Sequence, residues 1–187
     1  MTAPQERTSP VGTRWYAIDE VDDAFFDTAP LRHARSVDIP FPAEQTWAAL
    51  TGDEVSSWTK GMHELRWTSP RPFGVGTTRE INMNGNFVLR ERFYRWEEGR
   101  RKTFTGVAAT RSIFRHLIED YVVEPTPEGS RFSWRFAAEL RRPWSFFAGP
   151  LDRFFFAPTG RSHIDGLRDH MLSRAAGSGV AYTVKGH

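Results

Sequence analysis

PWSFFAGPLDRFFFA, residues 143–157, lies near the C-terminal end of this 187-residue chain and decides its fold. No other part of the chain carries an apolar helical stripe of this size. Apolar side chains recur at spacings of three and four, which place them on one face of a helix. They are Trp144, Phe147, Leu151, Phe154 and Phe155, followed further on by Ile164, Leu167 and Met171. The pattern predicts a long aromatic helix over residues 143–173.

Two prolines are expected to shape this helix. Pro150 is predicted to begin it, since proline is favoured at the first helical position, and residues 144–147 would form a preceding turn. Pro158 predicts a kink or break near Ala157, because proline removes a helical hydrogen bond. The Phe-rich half, residues 151–157, is expected to form a cavity wall.

Most of the chain before this helix alternates between apolar and polar residues with a period of two, which is typical of strands. Turn sequences such as Asn84-Gly85-Asn86 separate the strands. The predicted strands are 76–83, 87–96, 100–107, 113–124 and 130–140, preceded by a strand at 33–39, two short helices between residues 42 and 58, and an extended piece at 63–67. An α+β fold follows, in which an antiparallel sheet of about six or seven strands wraps around the C-terminal helix.

Composition limits the possible functions. Aromatic residues make up 14% of the chain, with 15 Phe and 7 Trp, which suits a dense core or a pocket for apolar ligands. The formal net charge of +2 does not favour nucleic acid binding. The chain has no cysteine, which excludes disulfides, thiolate catalysis and cysteine metal sites and weakly favours a cytoplasmic location. We expect no metal site, because the chain has no HExxH motif and no clustered His/Asp/Glu set.

The chain ends are expected to differ from the central domain. Residues 1–12 are polar and lack the apolar core of a signal peptide, so we predict disorder there. Residues 13–32 are acidic and aromatic and are interpreted as an arm that packs on the domain, either over a cavity mouth or behind the sheet. The domain spans 33–174, and residues 175–187 are predicted to be a flexible tail. No apolar run is long enough to span a membrane.

The order of elements and several local motifs resemble the START-like (SRPBCC) helix-grip superfamily, in its polyketide cyclase/dehydrase-like branch. RSVDIPFPAEQTWAAL, residues 35–50, is similar to the strand and Pro-Ala-Glu-x-x-Trp helix that open this fold. GVGTT at 74–78 resembles the glycine turn that enters its third strand, and LRER at 89–92 and GSRFSW at 129–134 resemble its later strands. The resemblance covers about residues 33–174. It implies a deep apolar cavity that binds lipids, sterols, polyketides or hormones, and in some members a cyclisation or dehydration reaction.

Glu91 is the first candidate for chemistry. Strand alternation places Phe87, Leu89, Glu91 and Phe93 on one face, so this carboxyl is expected to point inward among aromatic rings. A buried unpaired carboxyl has a raised pKa and can act as a general acid or base. The alternative is an internal ion pair with Arg79 on the neighbouring strand.

Two histidines are further candidates. His116 alternates with Phe114 and Ile118, and His63 shares a face with Leu65 and Trp67, so either could polarise a ligand carbonyl. The alternative for each is a satisfied core histidine. His163 and His170, seven residues apart on the C-terminal helix, are expected to lie on a solvated side. The basic runs at 100–102 and 141–142 are also interpreted as solvated.

The remaining aromatic residues are expected to form a belt that is either a core or a pocket wall. The full set of candidate ligand-binding residues is Trp67, Phe87, Leu89, Glu91, Phe93, Phe104, Phe114, His116, Trp134, Phe136, Leu151, Phe154 and Phe155, with Glu91 and His116 as catalytic candidates.

Three functions remain open at this point. The first is a binding protein for an apolar or aromatic small molecule that is lipid- or polyketide-like. The second is a cyclase/dehydrase-like enzyme with an inward Glu or His as general acid or base. The third is a module that binds a protein partner through its surface. No cofactor, nucleic acid partner or membrane span is expected, and the protein is predicted to be a monomer or homodimer.

Overall fold

The computed structural model describes residues 14–177, so the prediction for 1–12 lies outside the described residues. Of the predicted tail at 175–187, residues 175–177 belong to the C-terminal helix and the rest lie outside the described residues. Its strands are β1 Tyr16–Ala17, β2 Leu31–Ile39, β3 Met62–Trp67, β4 Thr78–Met83, β5 Phe87–Glu97, β6 Arg101–Ala109, β7 Phe114–Thr126 and β8 Gly129–Leu140. Its helices before the C-terminal segment are α1 Phe25–Thr28, α2 Ala43–Thr51 and a 3-10 turn at Val55–Ser57.

The strands form one antiparallel sheet in the order β2-β8-β7-β6-β5-β4-β3, with β1 added to β6. The sheet curls into a half-barrel around the C-terminal helix, which confirms the predicted α+β helix-grip fold. Gly129 enables the tight β7–β8 turn, because its φ is +150° and a Cβ there would lie 2.3 Å from the carbonyl oxygen of Ile39. Across residues 14–177, no helix is both long enough and apolar enough to cross a membrane.

The C-terminal segment is continuous but irregular. A 3-10 turn at Trp144–Phe147 leads into α3 Ala148–Leu151, a π-helical turn at Asp152–Phe156, and α4 Ala157–Gly177. The α-helical part therefore begins at Ala148, two residues before the predicted Pro150. Pro158 does not break the helix, since α4 runs through it from Ala157 to Gly177. The irregularity is instead the wide π turn that precedes it.

The first part of the N-terminal arm joins the sheet as strand β1. β6 pairs with β7 only from Arg101 to Thr105, and β1 pairs with β6 at Ala108 and Ala109, beyond the point where β6 and β7 separate. The side chain of Ile18 follows β1 into the main core and is 5% exposed.

Further along, the arm covers the outer face of the sheet. Phe26 of α1 packs with Ile118 and Ala137 there, under the guanidinium of Arg135 at 4.3 Å. Asp23 accepts hydrogen bonds from Tyr94 and Arg95, each at 2.7 Å. Of the two positions left open by the sequence, the structure shows the one behind the sheet.

Helix α4 approaches the segment after α2 very closely. At Gly166, a Cβ would lie 2.4 Å from the backbone oxygen of Trp58, and the hydroxyl of Ser162 accepts a hydrogen bond from the backbone N–H of Lys60 at 3.0 Å. At Gly160, a Cβ would lie 2.3 Å from the ring of Trp134. These glycines let the helix lie close to the sheet and to residues 55–60.

We expect Gly166→Ala to lower the free energy of unfolding by about 1–3 kcal/mol, because the backbone of Trp58 cannot yield as a flexible side chain would. Urea denaturation monitored by circular dichroism measures this. Gly149→Ala in α3 is the matched control, since no atom beyond its chain neighbours and its own helix backbone lies within 4 Å of the added methyl group, and it should be neutral or slightly stabilising. Equal stability of the two variants would contradict the close-approach argument.

Candidate functional site

A cavity of about 340 Å³ lies between the inner face of the sheet and the C-terminal helical segment. Strands β4, β5, β7 and β8 form its wall, and the segment from Trp144 to His163 closes the other side. The cavity is lined by Thr59, Met62, Arg79, Ile81, Met83, Asn84, Asn86, Phe87, Leu89, Glu91, Arg111, Ile113, Phe114, Leu117, Glu119, Tyr121, Trp134, Phe136, Trp144, Leu151, Phe155, Phe156, Thr159, Gly160 and His163.

The mouth of the cavity is marked by its exposed lining residues. Asn84 and Asn86 belong to the β4–β5 hairpin, and Arg111 belongs to the β6–β7 loop. The Arg111 side chain donates a hydrogen bond to the backbone oxygen of Asn86 at 3.4 Å, which links the two loops. Trp144 and Phe155 flank the mouth on the helix side.

Aromatic rings form the middle of the cavity. Phe156 from the π turn lies 5.7 Å, between ring centroids, from both Phe114 and Phe136. Phe136 stacks on Trp134 at 5.9 Å, and Phe87 lies 6.2 Å from Phe114. Rings at these distances form a continuous apolar surface suited to an aromatic or alicyclic ligand.

The deep end of the cavity is polar. Arg79 of β4 and Glu91 of β5 are directly opposite in the sheet register, and Nε of Arg79 donates to Oε2 of Glu91 at 2.5 Å. The two side chains are 2% and 0% exposed. Burial is the largest influence on Glu91 and leaves its pKa raised, although the charge of Arg79 opposes that shift. Glu91 therefore points inward as predicted, and the ion pair that the sequence left as an alternative is present.

Two polar atoms of this ion pair make no hydrogen bond within residues 14–177. Nη1 of Arg79 and Oε1 of Glu91 are buried and have no hydrogen-bond partner among the described residues. Buried polar atoms are rarely left unpaired. The deep end of the apolar cavity therefore holds one buried donor and one buried acceptor that the described residues leave unsatisfied.

Glu119 of β7 is the second carboxyl on the cavity wall. Its Oε2 accepts hydrogen bonds from Nε1 of Trp134 at 2.7 Å and from the hydroxyl of Tyr121 at 3.2 Å. Burial, followed by the nearby charge of Glu91, raises the pKa of Glu119 to about 7. This carboxyl can therefore gain or lose a proton near neutral pH.

His163 of α4 also faces the cavity. It is 4% exposed, its Nδ1 lies 2.7 Å from the hydroxyl of Thr59, and its Nε2 has no partner among the described residues. Burial, with the positive charges of Arg79 and Lys102, lowers the pKa of His163 to about 3. The ring is thus neutral at physiological pH. The prediction that this side of the helix is solvated is wrong for His163, because residues 55–60 pack against it.

The buried neutral histidine predicts a pH dependence of stability. Because the pKa of His163 is about 3 in the folded protein and 6.5 ordinarily, the unfolded chain binds more protons between these values. Stability is therefore lost as the pH falls below 6.5. We expect His163→Gln to remove about 2 kcal/mol of the loss in unfolding free energy between pH 7 and pH 5.

Urea denaturation at the two pH values measures this effect. The control is His63→Gln, since His63 is exposed and lies outside the cavity lining. If the wild-type protein and His163→Gln lose the same stability on acidification, His163 is not a buried neutral group.

Three predicted site residues belong to a second aromatic cluster. Trp67, Phe93 and Phe104 do not line the cavity but pack below Arg79, whose guanidinium lies 4.4 Å from the ring centre of Phe104. This cluster also holds Lys102, which is fully buried, donates to the backbone oxygen of Leu50 at 2.6 Å, and has a pKa lowered chiefly by burial. The prediction that the basic run at 100–102 is solvated is therefore wrong for Lys102.

His116 lies on the outer face, so the prediction that it faces inward is wrong. A register shift between Phe114 and His116 adds one residue to β7 relative to β8. Such a β-bulge moves every later side chain to the opposite face. The Nδ1 of His116 lies 2.8 Å from the backbone oxygen of Asp19, and its ring contacts Phe25 of the arm. The same bulge turns Glu119 inward.

His63 and Phe154 also fail to line the cavity, and in each case a local irregularity of the backbone is the reason. A register shift in β3 between Met62 and Glu64 leaves His63 exposed and brings Met62 to the cavity. Phe154 is 67% exposed and does not line the cavity, because the π turn changes the angular spacing and puts Phe156 there instead. The predicted residues that do line the cavity are Phe87, Leu89, Glu91, Phe114, Trp134, Phe136, Leu151 and Phe155.

Within residues 14–177, no group of three or more His, Cys, Asp or Glu side chains is placed to hold a metal ion.

A curved antiparallel sheet that closes on a long C-terminal helix around an apolar cavity defines a helix-grip protein. Residues 31–176 match the family described as polyketide cyclase / dehydrase and lipid transport, and the chain belongs to this family. Among curated proteins, uncharacterized proteins of Mycobacterium bovis and Mycobacterium tuberculosis are 34% identical over 140 residues, which is 73% of this chain and 84% of the relative.

Solved structures show the same fold at low sequence identity. An aromatase/cyclase from a Streptomyces species matches with a TM-score of 0.68 and 9% identity, over 81% of this chain and 99% of that one. A START superfamily protein from Mycobacterium smegmatis matches with a TM-score of 0.61 and 12% identity, over 76% of this chain and 98% of that one.

Proposed function

We propose that this protein binds an apolar or aromatic small molecule, lipid- or polyketide-like, in the cavity between the sheet and the C-terminal helix. One observation carries the proposal: the cavity has apolar, aromatic walls and a few polar groups gathered at its deep end. This arrangement is typical of sites that bind small molecules, in which polar groups fix the orientation of a largely apolar ligand.

The polar end indicates which ligand groups would fit. Arg79 and Glu91 neutralise each other, so the site favours a ligand whose deep end is uncharged. Nη1 of Arg79 can donate a hydrogen bond, Oε1 of Glu91 can accept one, and Nε2 of His163 offers a further position. Hydroxyl and carbonyl groups meet these needs. We infer an amphipathic ligand that enters with its oxygenated end first and leaves its apolar part among Phe114, Phe136 and Phe156.

Extraction of the purified protein with organic solvent, followed by mass spectrometry, tests the proposal. We expect a stoichiometric oxygenated apolar compound or, from protein that has been stripped of it, saturable binding of the neutral dye N-phenyl-1-naphthylamine. Failure to find a bound compound together with failure to bind the dye would contradict the proposal.

A second candidate is a cyclase/dehydrase-like enzyme, which the position of Glu119 favours. This carboxyl borders the cavity with a pKa raised to about 7 and is oriented by Trp134 and Tyr121. It is a better acid–base group than Glu91, which is held in the ion pair with Arg79. Removal of a proton next to a carbonyl, or its delivery to a departing hydroxyl, requires a group of this kind.

Elimination of water from an apolar β-hydroxy ketone tests the enzymatic candidate. We expect the wild-type protein to accelerate the reaction with an apparent pKa of about 7, and Glu119→Gln to lose the acceleration while still binding N-phenyl-1-naphthylamine. A rate equal to that in buffer, or full activity of Glu119→Gln, would contradict this role.

A further inference from the structure

The surface beside the cavity mouth is unusually apolar. Seven large hydrophobic side chains are exposed among the described residues, and five of them fall within residues 144–155. They form a group that we call the aromatic rim: Trp144 at 37% exposed, Phe146 at 71%, Phe147 at 58%, Phe154 at 67% and Phe155 at 56%. Exposed apolar groups in such density mark an interaction surface.

The aromatic rim is also basic. Residues 141–161 hold four arginines and one acidic residue, Asp152, which pairs with His33 at 2.5 Å. The guanidinium of Arg142 lies 5.4 Å from the ring centre of Phe146, and that of Arg153 lies 5.7 Å from Phe154. In the part of the chain that the structure describes, neither guanidinium has a carboxylate within ion-pair distance. Both charges are therefore free to meet an anionic surface.

Charge decides between two possible occupants of this surface. In a symmetric dimer the same patch meets itself, so Arg142 and Arg153 of both copies would face one another with no free carboxylate in the rim to compensate. An anionic phospholipid surface supplies the opposite charge and an apolar interior. Tryptophan and phenylalanine beside arginine are the residues that enter the boundary between lipid headgroups and acyl chains.

We propose that the aromatic rim docks this protein on the surface of an anionic phospholipid bilayer. Phe146, Phe147 and Phe154 enter the headgroup boundary, and Arg142 and Arg153 contact lipid phosphates. Trp144 and Phe155 belong to both the rim and the cavity lining, so docking would place the mouth of the cavity against the lipid. Docking through the rim does not require that the cavity hold a ligand.

Flotation of the full chain with vesicles tests this proposal. Vesicles of phosphatidylcholine with about one third phosphatidylserine should bind the protein, vesicles of phosphatidylcholine alone should bind it much less, and salt should weaken the binding. Phe146→Ser/Phe154→Ser should reduce the bound fraction at least about tenfold, and Arg142→Gln/Arg153→Gln should remove the preference for phosphatidylserine. None of these four residues lines the cavity.

The matched control is Val75→Ser/Leu172→Ser, which removes two exposed apolar side chains that do not belong to the rim and should leave vesicle binding unchanged. Binding of N-phenyl-1-naphthylamine reports separately on the cavity and should be the same in all variants. No binding to either vesicle, or equal loss in the control, would overturn the proposal. So would a dimer in analytical ultracentrifugation that Phe146→Ser/Phe154→Ser converts to monomer, since a second copy would then cover the rim.

Discussion

Arg79→Met is expected to lower the free energy of unfolding by about 3–5 kcal/mol, because it leaves the carboxyl of Glu91 buried without its partner. Glu91 is 0% exposed, and the nearby Glu119 adds a second carboxyl to the same cavity. The loss should grow as the pH rises. Without Arg79 the folded protein must keep Glu91 protonated, whereas the unfolded chain releases that proton. Urea denaturation at pH 5.5 and pH 8 measures both effects.

The double variant Arg79→Met/Glu91→Leu is the control for this prediction. Replacement of a whole buried ion pair by apolar side chains is often close to neutral, so most of the stability should return. A double variant as unstable as Arg79→Met would mean that the methionine does not fit the space. A stable Arg79→Met variant would contradict the importance of the ion pair.

Filling the cavity is expected to abolish ligand binding while the fold persists. Ile81 of β4 and Leu117 of β7 both line the cavity, so Ile81→Trp/Leu117→Phe should weaken the binding of N-phenyl-1-naphthylamine by about a hundredfold or more. Added bulk should lower the free energy of unfolding by only about 1–3 kcal/mol, since part of the new volume enters empty space.

Fluorescence titration of the dye measures this prediction. Val75→Trp is the matched control, because Val75 is 69% exposed and outside the cavity lining. Its dye affinity should equal that of the wild-type protein. Unchanged affinity in the filled variant, with the fold intact by circular dichroism, would show that the dye binds elsewhere.

The fold could be predicted because it follows from patterns that extend over many residues. The period of two over residues 76–140, the Asn-Gly turn at 84–86 and the aromatic helical stripe after residue 143 together predict a sheet around a helix. Local irregularities leave no such signal. The bulge near Arg115 reversed the faces of His116 and Glu119, and the π turn exchanged Phe154 for Phe156.

The polar end of the cavity was only partly predictable. Alternation on β5 placed Glu91 inward and suggested Arg79 as its partner, since both residues lie on adjacent strands. His163 was missed because its burial depends on residues 55–60, which are about one hundred positions earlier in the chain. Gly160 and Gly166 carry a signal, because a glycine inside a helix suggests close approach of another element.

The most direct test of the binding proposal is methyl NMR of the wild-type protein during titration with N-phenyl-1-naphthylamine. The proposal predicts large shifts for the methyl groups of Ile81, Leu89 and Leu117, which line the cavity. Ile118, which is buried on the outer face with Phe26, should not shift. Shifts at Ile118 with none at the three cavity residues, or no saturable shift at all, would contradict the claim that the protein binds its ligand between the sheet and the helix.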